Sequence, residues 1–97
     1  MKRRTDAIVI DGRDNVAVAL EALPTGKSVM IEVAGRAEKI RLLSAVPKGH
    51  KFALQDLEAG EPVIKYGQPI GYSRTAISRG EHVHTHNIQS HPTGGNR

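Results

Sequence analysis

Short apolar runs alternate along the chain with turns rich in glycine and proline. The clearest pair covers residues 28–33 and 38–43, where apolar and polar positions alternate on either side of a turn at residues 34–36. A period of two places the apolar side chains on one face of a strand. These two segments therefore predict a β-hairpin. Similar short runs predict further strands at residues 7–10, 52–54, 63–66 and 70–74.

Residues 15–23 fit two kinds of element. Alanine, leucine and glutamate favour a helix there, and Asp14 or Asn15 is suited to cap it. However, Val16, Val18 and Leu20 alternate with small residues, as they do in a strand packed on a core. We favour the strand. With turn residues recurring roughly every 8–12 positions, the whole pattern predicts an all-β fold, either a small barrel, a sandwich or a set of bent hairpins.

Two segments of the chain repeat each other, residues 57–63 and 77–83. Each has an apolar residue, two linking residues, Gly-Glu and then a strand-like run. We interpret this similarity as a repeated turn.

Composition narrows the class of protein. Ninety-seven residues predict one domain, with 3% aromatic residues and no tryptophan, so valine, isoleucine, leucine and alanine must build its core. The absence of cysteine excludes disulfides and thiolate metal sites. No apolar run approaches the roughly 20 residues of a membrane span, and residues 1–6 lack the apolar core of a secretory signal. We expect a cytoplasmic protein that does not bind membranes.

The net charge of +4 comes from scattered basic residues, without interleaved aromatics. This pattern disfavours nucleic acid and suits an acidic small molecule or an acidic partner subunit. We expect residues 7–90 to form the domain, between flexible ends at residues 1–6 and 91–97 that are rich in polar residues, glycine or proline. On this interpretation His91 takes no part in function.

Three of the five histidines, His82, His84 and His86, occupy every second position of one segment. In an extended strand they share a face, with neighbours about 6.6 Å apart and the outer pair about 13 Å apart. Two adjacent imidazoles can converge on a metal with bonds of about 2.0–2.1 Å, but all three on a straight strand cannot. The pair is therefore either His84 and His86 or His82 and His84. A solvated polar face is the alternative.

Four segments resemble the SAF domain of altronate and galactarate dehydratases, which also occurs as a separate small subunit and, in related form, in sulfolactate sulfo-lyase. They are residues 14–20, 49–54, 65–71 and 80–87, in the family's order and spacing. The resemblance implies a β-clip fold of bent hairpins. It also implies hydro-lyase chemistry, the removal of water from an aldonic or aldaric acid to give a 2-keto-3-deoxy acid, with altronate as the first substrate to consider.

The resemblance further implies a divalent metal, iron(II) in this family, shared with a large catalytic subunit that is not part of this chain. The metal ligands it suggests are His84 and His86, with His82 as a third. Catalytic candidates are His50, Lys51 and Lys65; His50 and Lys51 follow a glycine in a loop suited to anions, and a solvated loop is the alternative. Candidates for substrate binding are Lys65, Tyr66 and Asn87.

Other residues in the matching segments have structural interpretations. Gly67, Gly71 and Gly80 meet backbone requirements, and Asp14 caps a turn. If no partner covers the alternating strands, a homo-oligomer is expected. Two alternatives to the dehydratase remain open, the small subunit of a sulfolactate sulfo-lyase and a non-catalytic sugar-binding or accessory module.

Overall fold

The computed structural model describes residues 6–92, and in that range the chain forms nine short β-strands and no helix. The prediction of an all-β fold is confirmed. With no helix in this range, none is present that is long and apolar enough to cross a membrane. The predicted flexible ends fall largely on residues 1–5 and 93–97, outside the described residues. The strands are β1 Ala7–Ile8, β2 Val16–Ala19, β3 Ser28–Val33, β4 Arg36–Arg41, β5 Lys51–Ala53, β6 Pro62–Lys65, β7 Gln68–Ser73, β8 His82–Val83 and β9 Ile88–Gln89.

The strands form three small antiparallel sheets. A four-stranded sheet has the order β1-β2-β5-β8, β3 and β4 form a separate hairpin, and the third sheet has the order β6-β7-β9. Within the first sheet, β5 lies between β2 and β8, and its Lys51 is in register with Val18 on one side and Val83 on the other. The segment around Val16 is therefore a strand, as the alternation predicted, and not a helix.

Both long hairpins close through two-residue loops with left-handed backbone. The β3–β4 loop is Ala34-Gly35, with φ of 52° and 81°, and the β6–β7 loop is Tyr66-Gly67, with φ of 59° and 71°. Two successive positive φ angles define the type I′ turn, whose twist matches that of the paired strands. Glycine supplies the second position without strain in each case.

A tight turn with the same hydrogen bonds occurs four times in the described chain. In each copy a glycine with φ between 82° and 90° is the third residue, and the N–H of the fourth residue donates to the carbonyl of the first over 2.9–3.2 Å. A positive φ at the third position defines a type II turn. The four glycines are Gly26, Gly49, Gly60 and Gly80.

The residues before these turns pair with one another, so the fold has two similar halves. Leu23 forms an antiparallel bridge with Val46, and Leu57 forms the corresponding bridge with Ile77. In each half a turn leads into a long hairpin, and a second turn leads into a short strand, β5 in the first half and β8 in the second. The repeated turn predicted at residues 57–63 and 77–83 is present, with two more copies at residues 24–27 and 47–50 that lack the Gly-Glu pair.

Two largely aliphatic clusters form the core: the first lies within the first half, and the second combines residues of the second half with residues of β2 and β5. Phe52 and Ile40 belong to the first cluster, and Val63 and Ile77 to the second, all almost completely buried. Burial of such side chains contributes about 1.5–3 kcal/mol each. The predicted aliphatic composition of the core is observed, with Phe52 as its one aromatic member among the described residues.

Buried polar side chains join the β6–β7 hairpin to the start of the chain. Asp14 accepts hydrogen bonds from the main-chain N–H groups of Asp11 and Gly67, at 3.0 and 2.8 Å. The Asn15 carboxamide donates to the carbonyl of Pro62 and accepts from the N–H of Ile64, at 3.0 and 2.7 Å. Both side chains therefore hold backbone in place, which agrees with the structural interpretation of Asp14.

Candidate functional site

The equivalent turns of the two halves bring two histidines together. His50 is the last residue of the turn before β5, and His82 is the first residue of β8, which pairs with β5. As a result His50 Nδ1 lies 2.9 Å from His82 Nε2. At this distance one nitrogen must carry a proton and the other must accept it, because two N–H groups facing each other would repel. The contact therefore favours neutral imidazole at one ring at least.

His84 joins the pair because the strand stops before it. The continuous strand expected through His82, His84 and His86 is interrupted: β8 ends at Val83, and residues 84–87 form a turn before β9. The His84 ring stacks on His50 with centroids 3.8 Å apart and planes within 11°. His86 lies on the outer side, its ring centroid 5.1 Å from that of His82.

Three ring nitrogens are close enough to share one ligand. The coordinating atoms of His50, His82 and His84 all lie within 4.8 Å of one another; we call these residues the histidine cluster. His86 is not one of the three, so the structure brings together the predicted pair His82 and His84 and adds His50. The sequence pattern assigns His50 to catalysis or anion binding, whereas the pairing of β5 with β8 brings its ring to His82 and His84.

Asn87 shapes the turn that positions His84. Its Oδ1 accepts a hydrogen bond from the His84 N–H, and its Nδ2 donates to the His82 carbonyl, both at 2.9 Å. Its main-chain N–H donates to the His84 carbonyl at 3.0 Å. The side chain is 3% exposed. Both polar ends of this side chain, predicted to contact substrate, are thus engaged with the main chain of the histidine turn.

The environment of the histidine cluster favours the uncharged imidazoles of His82 and His84. Burial lowers the pKa of His82, and the charges of His86, His50, His84 and Lys51 lower it further. Burial likewise lowers the pKa of His84, followed by the charges of His50, Lys51 and His86. Neutral imidazole is the form that binds metal ions.

The donor set fits a divalent transition metal. Imidazole nitrogens suit zinc, copper, iron and nickel, and His84 Nδ1 is buried without a hydrogen-bond partner among the described residues. A tetrahedral ion with bonds of about 2.0–2.1 Å holds its ligands about 3.3 Å apart. Imidazole lone pairs lie in the ring plane, so the stacked His50 and His84 rings must tilt to share an ion. The three imidazoles could therefore hold a metal ion once the rings of His50 and His84 turn out of their stack.

An open groove of about 600 Å³ runs from His84 along β9. We call it the Lys51 groove. Its walls include Ile70 and Ile88, and the other lining residues are polar or basic: Lys51, Arg74, His84, Thr85, Gln89, Ser90 and His91. Burial lowers the pKa of Lys51, and the charge of Lys65 adds to the effect. Because its charged lining residues are all basic, the groove is an electropositive surface next to the histidine cluster.

The two remaining predicted site residues lie outside this groove. Lys65 ends β6, and its Nζ lies 5.0 Å from the centre of the Tyr66 ring. Tyr66 occupies the type I′ loop and is 60% exposed. Lys65 acts on the site through its charge on Lys51. Conversely, His91, predicted to be uninvolved, lines the groove.

The fold and these side chains define a small all-β domain that presents a histidine cluster next to an electropositive groove. Comparison with known proteins agrees with the resemblance found in the four segments. The chain belongs to the altronate/galactarate dehydratase SAF domain family, whose sequence model matches residues 5–91.

Its relatives include both large enzymes and a small subunit. The chain is 46% identical to the altronate dehydratase of Escherichia coli (strain K12) and 35% identical to that of Bacillus subtilis (strain 168), over 86% of its own length in each case. It spans only 16% of the length of each of these two proteins. It is also 36% identical to the (2R)-sulfolactate sulfo-lyase subunit alpha of Chromohalobacter salexigens, over 88% of this chain and 94% of that subunit.

Proposed function

We propose that this chain is the SAF part of a sugar-acid dehydratase, with altronate as the first substrate, and that it works with a large catalytic subunit or domain. The observation that carries the proposal is the histidine cluster in a chain 46% identical to an altronate dehydratase. The length of that relative supports a larger catalytic part, because this chain corresponds to 16% of it. Alone, the chain is expected to be inactive.

His50, His82 and His84 would hold a divalent metal, iron(II) by analogy with the family. When bound, such an ion supplies a Lewis acid that stabilises negative charge developing on a substrate carboxylate. This assignment revises the ligand pair His84 and His86: the nitrogens of the histidine cluster lie within 4.8 Å of one another, whereas His86 stands on the solvent side as an exposed residue.

The residues around the cluster would hold the acid. Lys51 supplies a positive charge to a carboxylate placed beside His84, and Lys65 contributes at longer range. Dehydration also needs a base to remove a proton next to the carboxylate and an acid to protonate the departing hydroxyl. His50, next to Lys51, is this chain's candidate for a proton-transfer group when it is not a ligand. Tyr66 remains a candidate for substrate contact at the hairpin loop.

A second function is favoured by one comparison. The match to the sulfo-lyase subunit alpha extends over 94% of that subunit, a far larger share than in the dehydratases. In that case the same cationic groups would bind sulfolactate, and sulfite would take the place of water as leaving group. In either case we expect the partner to be a larger catalytic subunit or domain, with no membrane or nucleic acid.

Metal binding by the purified chain tests the proposal first. Wild-type protein and the single variants His50→Ala, His82→Ala and His84→Ala are titrated with Zn(II) and, without oxygen, Fe(II) against a chelating indicator. The matched controls are His86→Ala and His91→Ala. We expect the first three substitutions to weaken binding at least about tenfold and the controls to leave it within about twofold. Equal losses in all five variants would refute the assignment of the histidine cluster.

Activity is tested in the assembled protein. A tagged chain is recovered from its own cells grown on sugar acids, and the eluate is assayed for iron(II)-dependent dehydration of altronate and galactarate and for sulfite release from sulfolactate. A co-purifying large subunit with activity that is lost in the His82→Ala/His84→Ala chain supports the proposal. Activity that survives this double substitution would show that the histidine cluster has only a structural role.

A further inference from the structure

One face of the four-stranded sheet is covered, whereas the other is covered only in part. On the first face, Ala17 and Phe52 pack with side chains of the β3–β4 hairpin in the first core cluster. On the second face, Val16 and Ala53 pack with residues of the second half in the second core cluster. The rest of the second face carries side chains of β1, β2 and the residues that follow them, and residues 6–92 leave most of these exposed.

These side chains form an apolar surface, which we call the β1–β2 face: Ile8, Ile10, Val18 and Leu20. Ile8 is in register with Val18, so the two side chains lie next to each other on the same face of the sheet. Ile10 and Leu20 stand two positions further along each chain segment, on the same side. Ile8, Ile10 and Leu20 are 39–41% exposed, and Val18 is half-buried. Single exposed aliphatic side chains are common, but adjacent ones mark interaction surfaces.

The internal repeat shows that the position of Leu20 is covered in its other copy. Leu20 precedes Leu23 by three residues, and Leu54 precedes the corresponding Leu57 by three residues. Leu54 is 8% exposed and belongs to the first core cluster, whereas Leu20 is 41% exposed. The first half therefore covers the leucine that leads into the second half. The leucine that leads into the first half has no such cover among the described residues.

Both ends of the region shared with the family lie beside the β1–β2 face. The family model matches residues 5–91. At one end, the carbonyl of Asp6 accepts a hydrogen bond from the N–H of Leu20 at 2.8 Å. At the other end, His91 lines the Lys51 groove, and Lys51 is in register with Val18 of the face. In the altronate dehydratases, of which the matching region is 16%, we therefore expect the remaining chain to join next to the equivalent face.

We propose that the β1–β2 face is the docking surface for the large catalytic subunit or domain, which covers it with an apolar surface of its own. This inference rests on the proposed function, since the partner is the large catalytic part named there. Because Val18 is in register with Lys51, a partner seated on the face reaches the rim of the Lys51 groove. It is then placed to bring catalytic groups of its own to a substrate beside the histidine cluster.

Photo-crosslinking in the assembled protein tests where the partner docks. The tagged full chain, with photoreactive p-benzoylphenylalanine in place of Ile8, Ile10 or Leu20, is produced in its own cells and irradiated, and the crosslinked peptides are identified by mass spectrometry. The matched control carries the same group in place of Met30, which is 45% exposed on the outer side of the β3–β4 hairpin, away from the sheet. We expect the three face positions, and not the control, to crosslink to a large chain or domain whose sequence matches the remaining length of an altronate dehydratase.

Point variants measure how much the face contributes to binding. Ile8→Thr and Leu20→Gln should each lower the amount of large chain that co-purifies by about five- to tenfold, because each removes apolar surface that the partner buries. Met30→Gln removes a side chain of similar exposure and should leave co-purification unchanged. Zn(II) affinity should stay within about twofold of wild type in all three variants, because none contacts the histidine cluster. A retained urea midpoint shows that each variant is folded.

The outcomes separate this inference from the proposed function. If the large chain co-purifies but does not crosslink preferentially to the face, the inference is overturned and the proposed partner stands. Crosslinks only between copies of this chain would also overturn it and would make the face a self-association surface. If the large chain neither crosslinks nor co-purifies with the wild-type chain, the inference and the proposed partner both fail. Crosslinks confined to the face, with weaker co-purification of its variants, support the inference even if the histidine cluster binds no metal.

Discussion

Replacement of Asn87 separates two roles that the sequence could not distinguish, metal or substrate contact on one side and support of the histidine turn on the other. The carboxamide makes two buried hydrogen bonds of 2.9 Å to the main chain of His84 and His82. Asn87→Ala leaves an N–H and a carbonyl without partners, each costing about 1–3 kcal/mol. We expect the free energy of unfolding to fall by about 2–6 kcal/mol, out of roughly 5–15 for a domain of this size.

Asn87→Asp separates the supporting role from the ligand role more sharply than Asn87→Ala does. It keeps the oxygen that accepts from the His84 N–H, but it places a second oxygen where Nδ2 now donates to the His82 carbonyl, so two acceptors face each other. A supporting residue therefore loses stability in this variant, and metal affinity falls by about 10–100-fold as the turn shifts. A ligand would behave in the opposite way, because a carboxylate binds divalent ions better than a carboxamide does.

The chain offers a matched control in Asn15. Its carboxamide is also buried and also bridges a carbonyl and an N–H, 3.0 and 2.7 Å away, but at the β6–β7 hairpin. Asn15→Ala should destabilise the fold by a similar amount and leave Zn(II) affinity unchanged. Urea unfolding and chelator competition give the two quantities for every variant. Unchanged or tighter metal binding by Asn87→Asp would refute the supporting role.

Three further predictions concern stability. Gly49→Ala and Gly80→Ala both force alanine into a left-handed backbone at about 1–2 kcal/mol, but only the new Cβ at residue 80 runs into a main-chain carbonyl; urea unfolding should show the greater loss there, and equal losses would contradict the steric argument. Metal-free protein should lose stability as pH falls through and below about 6.5, the ordinary pKa of histidine, because the pKa values of His82 and His84 are lowered on folding, so the unfolded chain binds more protons; unfolding curves from pH 8 to pH 5 test this, and an unchanged midpoint would count against it. Ala34→Asn should raise stability by about 0.5–1 kcal/mol, because Ala34 has a φ of 52° that asparagine tolerates better; a lower thermal midpoint would be the contrary result.

The strands were predictable where alternation and turn residues agreed. Both long hairpins show period-two patterns closed by a glycine-containing loop, and Val16–Ala19 is a strand because its small and apolar residues fit between β1 and β5. The period-two alternation did not predict where β8 ends. His84 and His86 continue the alternation in sequence, yet the buried Asn87 carboxamide hydrogen-bonds the backbone into a turn. A local hydrogen bond therefore overrides periodicity.

The grouping of the histidines was predictable in part. His82 and His84 were identified because they are neighbours in sequence. His50 could not be placed with them by spacing, since its position depends on the pairing of β5 with β8. One signal was available: the apolar-x-x-Gly pattern before residue 50 matches the one before residue 81. That match marks β5 and β8 as equivalent strands of the two halves, but it does not show that they pair. Nothing in the sequence pattern indicates that Arg74 lines the Lys51 groove, because its position there depends on the course of β7 and β9.

Because the fold is built from two similar halves, neither half contains the whole histidine cluster. His50 comes from the first half, and His82 and His84 come from the second. Exposed Gln55 and Asp56 link the halves between β5 and the Leu57 turn. Cleavage there would leave two fragments, each with its own hairpin and its own part of the cluster. A metal ion bound by all three imidazoles would then hold the two fragments together. Metal binding and reassociation of the fragments would therefore each favour the other.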